Sequence, residues 1–263
     1  MKKLLLIFTF LIFLPSFTFA SFVSLTTSIQ EIVIENRTQT YLEITNSGDE
    51  MALSLSISLI LPDGFYSDKI FLDKLNSNST FRGTLNITRI KELAPGRYPA
   101  VVLIEYTDVN SYPFSAISPA ILIYTIPTFS KIYGSISGLS LKGKNPGKLT
   151  LNLKNLDDVE HEVRIRLFLP IELKSEETEK SILLKSKEEK NLEFKVSNFA
   201  ALPGSKYIVI ASIEYEDKLH YSSLASGIVK IDVGNSINKI PLTLVAILSL
   251  VSLIIIVAIY FMK

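Results

Sequence analysis

The chain has no cysteine, no tryptophan and only 2 histidines among 263 residues, and its net charge is +1. Each shortage removes a class of chemistry. Without thiols there are no disulfides, thiolate metal sites, thiol nucleophiles or thiol redox couples. A tetrahedral zinc site needs clustered ligands, and neither His161 nor His220 has partners at such spacing. Both are expected to be solvent-facing strand or turn residues. A near-zero net charge supplies no electrostatic reason to bind nucleic acid. No Gly-x-Ser-x-Gly elbow and no EF-hand loop is present, so neither a hydrolase nucleophile nor a regular calcium site is visible. The sequence predicts no catalytic residue, no cofactor and no metal. Helical periodicity is also missing between residues 21 and 233.

What is present starts with two apolar ends. Met1-Lys2-Lys3 is followed by an apolar run from Leu4 to Leu14, a break at Pro15-Ser16, and small residues at Thr18 and Ala20. This is the layout of a secretory signal peptide over residues 1–20. At the other end, Ile240 to Met262 carries no charge, with Lys239 before it and Tyr260, Phe261 and Lys263 at its far edge. At ~1.5 Å per residue that run reaches roughly 33 Å, the thickness of a bilayer's hydrocarbon core. A transmembrane helix over 239–262 is predicted, single-pass, with the bulk of the chain outside the cytoplasm.

Between these ends one stretch occurs twice. Leu93-Ala94-Pro95-Gly96-Arg97-Tyr98 leads through an apolar run to Ile104-Glu105-Tyr106-Thr107-Asp108, and Leu202-Pro203-Gly204-Ser205-Lys206-Tyr207 leads to Ile213-Glu214-Tyr215-Glu216-Asp217. The copies lie about 109 residues apart, close to the length of one β-sandwich. Short strands with turn signals every ten residues or so fill both halves. Leu53, Leu55, Ile57 and Leu59 alternate with Ser54, Ser56 and Ser58, predicting a strand with one wet face. Two sandwiches are expected, over 21–127 and 128–235, divided near Ile126-Pro127-Thr128 and arranged as a semi-rigid rod. The fold class is all-β.

Tyr98 and Tyr207 follow a Pro-Gly bend at the start of a late strand, which resembles the tyrosine corner of immunoglobulin-like sandwiches. Their hydroxyls are expected to return to the backbone just upstream. With the strand order and the Asn turns at Asn46 and Asn155, the modules resemble Ig-like repeats of archaeal and bacterial envelope proteins, including alpha-galactosidase-associated domains and cell-adhesion repeats. The layout is similar to that of WxL-interacting proteins. The resemblance implies extracytoplasmic binding or scaffolding and carries no catalytic residue.

Residues 21–127 hold 7 Lys+Arg against 11 Asp+Glu, and 128–235 hold 16 against 15. The mixed runs of the second half suit solvated strand edges guarded against aggregation. Asp157, Asp158, Glu160 and Glu162 suit an acidic turn, and Glu105 with Asp108 and Glu214 with Asp217 suit strand ends. Asn36, Asn78 and Asn86 begin Asn-x-Ser/Thr triplets, permissible glycosylation sites in an exported chain. The expected function is a membrane-anchored, non-enzymatic envelope protein that acts through a protein partner. A surface carbohydrate-binding protein using Tyr66, Tyr112 and Tyr133 is the alternative. An extracellular hydrolase is a third reading and lacks a visible site.

Overall fold

A computed structural model describes residues 22–34 and 37–233. The predicted signal peptide over 1–20, the predicted span over 239–262 and Asn36 lie outside the described residues. Among the described residues no helix is long and apolar enough to cross a membrane, and the regular structure is all β-strand.

The first half contains β1 (Leu25–Ile29), β2 (Ile32–Ile34), β3 (Arg37–Asn46), β4 (Ala52–Ile60), β5 (Phe65–Ser67), β6 (Ile70–Leu75), β7 (Ser79–Arg89), β8 (Gly96–Thr107) and β9 (Pro113–Tyr124). They form the sheets β1-β3-β7-β5 and β6-β4-β8-β9-β2. The second half repeats this with β10 (Ile132–Ile136), β11 (Leu139–Leu141), β12 (Gly147–Asn155), β13 (His161–Phe168), β14 (Leu173–Ser175), β15 (Glu179–Leu184), β16 (Glu189–Asn198), β17 (Lys206–Glu216) and β18 (His220–Ile231). Its sheets are β10-β12-β16-β14 and β15-β13-β17-β18-β11. Among the described residues, ladder pairing between the halves is confined to one residue pair, His220 with Gly96.

Each half encloses its own core between its two sheets. Leu42, Ile44, Leu85, Leu55, Ile57, Val102 and Ile104 fill the first, and Leu149, Leu151, Phe194, Val163, Ile165, Val209 and Ile213 the second. Period-2 alternation sends these side chains inward. The expected alternation of β4 fails at one point. Ser54 has a φ of 50° and the β4–β8 register shifts between Leu53 and Ser56. This bulge puts Ala52 rather than Leu53 into the core, because an extra residue reverses the pleat.

Asn46 and Asn155 explain why their turns recur. Both are fully buried. Asn155 Oδ1 accepts from Asp157 N at 2.8 Å, and its Nδ2 donates to Val159 O and Lys185 O, each at 2.9 Å. Asn46 accepts from Gly48 N at 3.1 Å and donates to Glu50 O at 2.8 Å and Leu75 O at 3.2 Å. One amide satisfies the turn and the end of a neighbouring strand, which an apolar residue cannot do.

The halves do not form a rod. Side chains on the outward faces of the two five-stranded sheets meet in a further apolar cluster of Val101, Ile117, Phe168 and Ile210, flanked by Ile60, Leu103 and Leu224. Of the face of β4 expected to be wet, Ser54 stays exposed while Ser58 is buried, and Ile60 packs against the cluster. β8 and β17 are therefore buried on both faces over Ala100 to Val102 and Val209 to Tyr215, and their apolar runs there are unbroken (Ala100 to Ile104, Val209 to Ala211). Strands covered on both sides read this way.

Candidate functional site at the junction

Polar groups far apart in the sequence come together where the halves meet. Gly96 opens β8 with a φ of +151°, and a Cβ there would lie 2.1 Å from His220 O. That absence of a side chain lets β18 approach, and His220 N donates to Pro95 O at 2.9 Å. The His220 ring stacks on Tyr98 with centroids 3.8 Å apart and planes at 11°. Its Nδ1 lies 2.8 Å from Arg97 O. A carbonyl only accepts, so Nδ1 carries a hydrogen. Nε2 faces Glu214 Oε2 at 3.4 Å. His220 is 3 % exposed, which corrects its expected place in solvent. His161 is also covered, packed on the Tyr215 ring at 4.4 Å and facing Asp157 at 3.2 Å.

Glu214 and Asp108 part company as well. Asp108 acts within its turn, accepting from Asn110 N at 2.9 Å and Tyr112 N at 2.8 Å. Glu214 is instead a buried junction residue. Ser212 Oγ donates to its Oε1 at 2.9 Å, and Arg164 lies 3.5 Å from its Oε2. Burial alone would raise the Glu214 carboxyl, but His220, Arg164 and Ser212 together hold it below its ordinary value. Ser212 is bonded to the carboxylate and not to the imidazole, and His220 already faces two acceptors. This trio therefore has no base placed to activate the serine.

A second polar clamp lies farther along. Glu172 Oε1 accepts from Ser115 N at 2.6 Å and Oε2 from Ser115 Oγ at 2.7 Å, while Ile171 N donates to Ser115 Oγ at 2.9 Å. Tyr112 Oη donates to Ala200 O at 2.8 Å, so this tyrosine belongs to the junction. Burial raises the Glu172 carboxyl despite the favourable Ser115 bonds. In the internal repeat Glu172 takes the place of Gly64, counted from the matching Pro62 and Pro170.

The two buried carboxyls act with opposite sign: the raised Glu172 favours the folded state as it takes up a proton, whereas the lowered Glu214 and Asp157 predict an acid limb. The lowered Glu214 contributes stability that is present above its ordinary value of 4.5 and is lost as pH falls through its folded-state value. Asp157, held down to about 2 by Lys131 and then by the Asp158 amide, adds a further loss at still lower pH. Thermal midpoints measured from pH 7 to pH 3 should fall below about pH 4.5, and Glu214→Gln should flatten the first part of that fall. Identical acid limbs in the two proteins would show that Glu214 does not govern it.

The two tyrosines part in the same way. Tyr98 Oη donates to Ala94 O at 2.6 Å, the return to the backbone that the sequence leads one to expect. Burial, then Glu216 and Glu214, push its hydroxyl up to about 12, so it remains a donor. Tyr207 fills the second core, and burial pushes its hydroxyl up, with Ser205 and the Leu202 backbone near enough to offset part of that, but no hydrogen bond of good geometry reaches it. The glycine stands two residues before Tyr98 and three before Tyr207, and the extra residue changes the corner. Tyr98→Phe should cost about 1 kcal/mol and Tyr207→Phe close to nothing in urea unfolding. Equal losses would contradict the difference between the corners.

Asn78 is exposed at the β6–β7 turn, where its Nδ2 donates only to the neighbouring Ser77 Oγ. Asn86 is on β7 and its amide is held at both ends, by Asp68 Oδ2 at 2.6 Å and Gln39 Nε2 at 3.0 Å. Among the described residues no group of three or more His, Asp or Glu is placed to hold a metal. In the acidic turn Asp157 is taken up by Lys131 at 3.0 Å and by His161. Tyr66 and Tyr133 are exposed on separate sheets, on β5 and β10.

Two grooves flank the junction. One, of about 360 Å³, includes Tyr98, Arg164, Arg166, Glu179, Glu214 and His220. Two ion pairs lie within it, Arg166 with Glu179 at 3.3 Å and Arg164 with Glu214 at 3.5 Å, beside the further charged residues Asp63, Lys91 and Glu216. The other, of about 610 Å³, has a more apolar lining that includes Phe129 and Tyr133.

No protein-family model matches the chain, and no curated protein matches it. Among solved structures, it is similar to the native conformation of Escherichia coli alpha-2-macroglobulin at 9% identity and a TM-score of 0.32, covering 80% of this chain and 17% of that one. A Salmonella alpha-2-macroglobulin mutant gives 10%, 0.32, 79% and 16%. The elastase-activated Escherichia coli protein gives 11%, 0.32, 83% and 23%. The chain thus spans less than a quarter of each of these structures, and TM-scores this low carry neither fold nor function across.

Proposed function

We propose that the chain is a membrane-anchored extracytoplasmic binding or scaffolding protein, built of two Ig-like sandwiches, that acts through protein–protein contacts at the cell envelope and is not an enzyme. The observation that carries this reading is the junction. Two repeated modules are held face to face by an apolar cluster and by buried polar clamps, which makes one rigid block rather than a hinged pair. A rigid block presents a preformed surface, and preformed surfaces bind with less ordering cost. The leader-like residues 1–20, the uncharged run of 240–262 and the resemblance to envelope Ig-like repeats support the location.

The test has two parts. Protease added to intact cells should digest the β-rich part and spare the C-terminal segment. Crosslinking followed by purification from detergent-solubilised membranes should return a partner in near-stoichiometric amount. Recovery of the monomer alone would overturn the reading. The carbohydrate alternative is weakened by Tyr112, whose hydroxyl is committed to the junction.

A further inference from the structure

We propose that the larger junction groove is a docking cleft for an extended peptide segment of a protein partner, one that places an apolar side chain beside a carboxylate. This rests on the protein-binding reading above and names where that contact is made. The groove is about 610 Å³, within the size range of sites that enclose a small ligand. It exists only because the halves are docked, since its walls come from β9 and the end of β1 on one side and from β18 and the segment before β10 on the other.

Its apolar part is unusually open. Phe129 is 77% exposed and Tyr133 48%, and neither has a ring partner among the described aromatic pairs. Exposed aromatics next to an arginine are the composition of interface anchors. Arg97 supplies the charge complementarity. Its side chain is 22% exposed and its ion pair, with Glu31, is long at 3.5 Å. A guanidinium has five donors in a planar fork, and Glu31, which also lines the groove, reaches only one nitrogen of it at long range, so a partner's carboxylate competes with Glu31 for Arg97 at the exposed edge of the fork. Ser222 adds a buried hydroxyl with no hydrogen-bond partner at the same groove.

The same inventory argues against a sugar. A saccharide presents many hydroxyls and needs a matching set of donors and acceptors. The hydroxyls of Ser130 and Ser223 are already bonded to Ile132 O. An extended peptide needs fewer side-chain hydrogen bonds and gains more from Phe129 and Tyr133.

The experiment selects random displayed peptides against the full chain in detergent micelles, then measures affinities by fluorescence anisotropy. Peptides with an apolar residue next to Asp or Glu should be enriched. Phe129→Ser should weaken them at least tenfold, Arg97→Gln should remove the preference for the acidic residue, and Tyr66→Ser on β5 should change neither. Thermal midpoints of the variants close to that of the parent chain would show that they fold. Peptides that bind equally to all variants would overturn the groove while leaving the wider protein-binding reading intact. An empty selection, or binding of a glycan array that Phe129→Ser abolishes, would overturn the peptide proposal outright.

Discussion

Gly96→Ala is expected to destabilise the protein by about 3 kcal/mol or more, as overpacking and backbone strain act together. The new methyl would lie 2.1 Å from His220 O and 2.8 Å from His220 N and C. These are backbone atoms, so no rotamer change relieves the clash. The φ of +151° adds strain for any residue with a Cβ. The consequence is specific to the junction. The β18–β8 bridge pair opens, the His220–Tyr98 stack separates, and the modules lose one end of the junction, leaving the apolar cluster and the Glu172–Ser115 clamp to hold them. Scanning calorimetry should show the midpoint falling by roughly 6–12 °C, with one transition splitting into two as the halves unfold separately. Gly143→Ala is the control. Its φ is +60°, but nothing lies within 4 Å of the added methyl, so it should cost only about 1 kcal/mol. Equal losses at the two glycines would mean that the close approach of β18 is not what Gly96 provides.

Asn155→Ala should cost about 2–4 kcal/mol. The substitution orphans the Asp157 amide and the carbonyls of Val159 and Lys185 in one step. A buried polar group left unpaired costs about 1–3 kcal/mol, with some relief where water can enter. Asn155→Asp should be worse at neutral pH. It retains an acceptor, loses both donors, and places a charge at a position with no solvent exposure. Asn46→Ala should have a similar effect in the first module, because its bond to Glu50 O matches that of Asn155 to Val159 O and its bond to Leu75 O matches that of Asn155 to Leu184 O. Urea unfolding monitored by circular dichroism measures these losses. A change below about 0.5 kcal/mol for Asn155→Ala would show that the turn does not depend on its amide.

These residues differ in how visible they were beforehand. Asn46 and Asn155 stand out because they recur at matching positions, and a local turn is all they have to build. Tyr98 stands out for the same reason, and its bond to Ala94 spans only four residues. His220, Glu214 and Glu172 do not stand out, since each acquires its role from a residue in the other half or from burial by it. His220 meets Arg97 at a separation of 123 residues, and Glu172 meets Ser115 at 57. One signal was available. The repeated stretch runs through unbroken apolar residues where a half-wet strand would alternate, and such a run marks a strand covered on both faces. A second was the replacement of Gly64 by Glu172 between copies, a carboxylate appearing where the first module has none.

The sequence by itself determined the two-copy organisation, the β-strands, most of the inward set of each core and the position of the two Asn turns. Hydrophobic period, turn chemistry and repetition are local properties of the chain. It could not determine which outward faces stay wet. That was decided by the tertiary structure, because burying a strand's second face depends on the shape of a surface assembled from distant segments. The glycine that admits β18, the imidazole stacked on Tyr98 and the carboxylate that grips Ser115 together turn the expected rod into a block with a cleft along its seam.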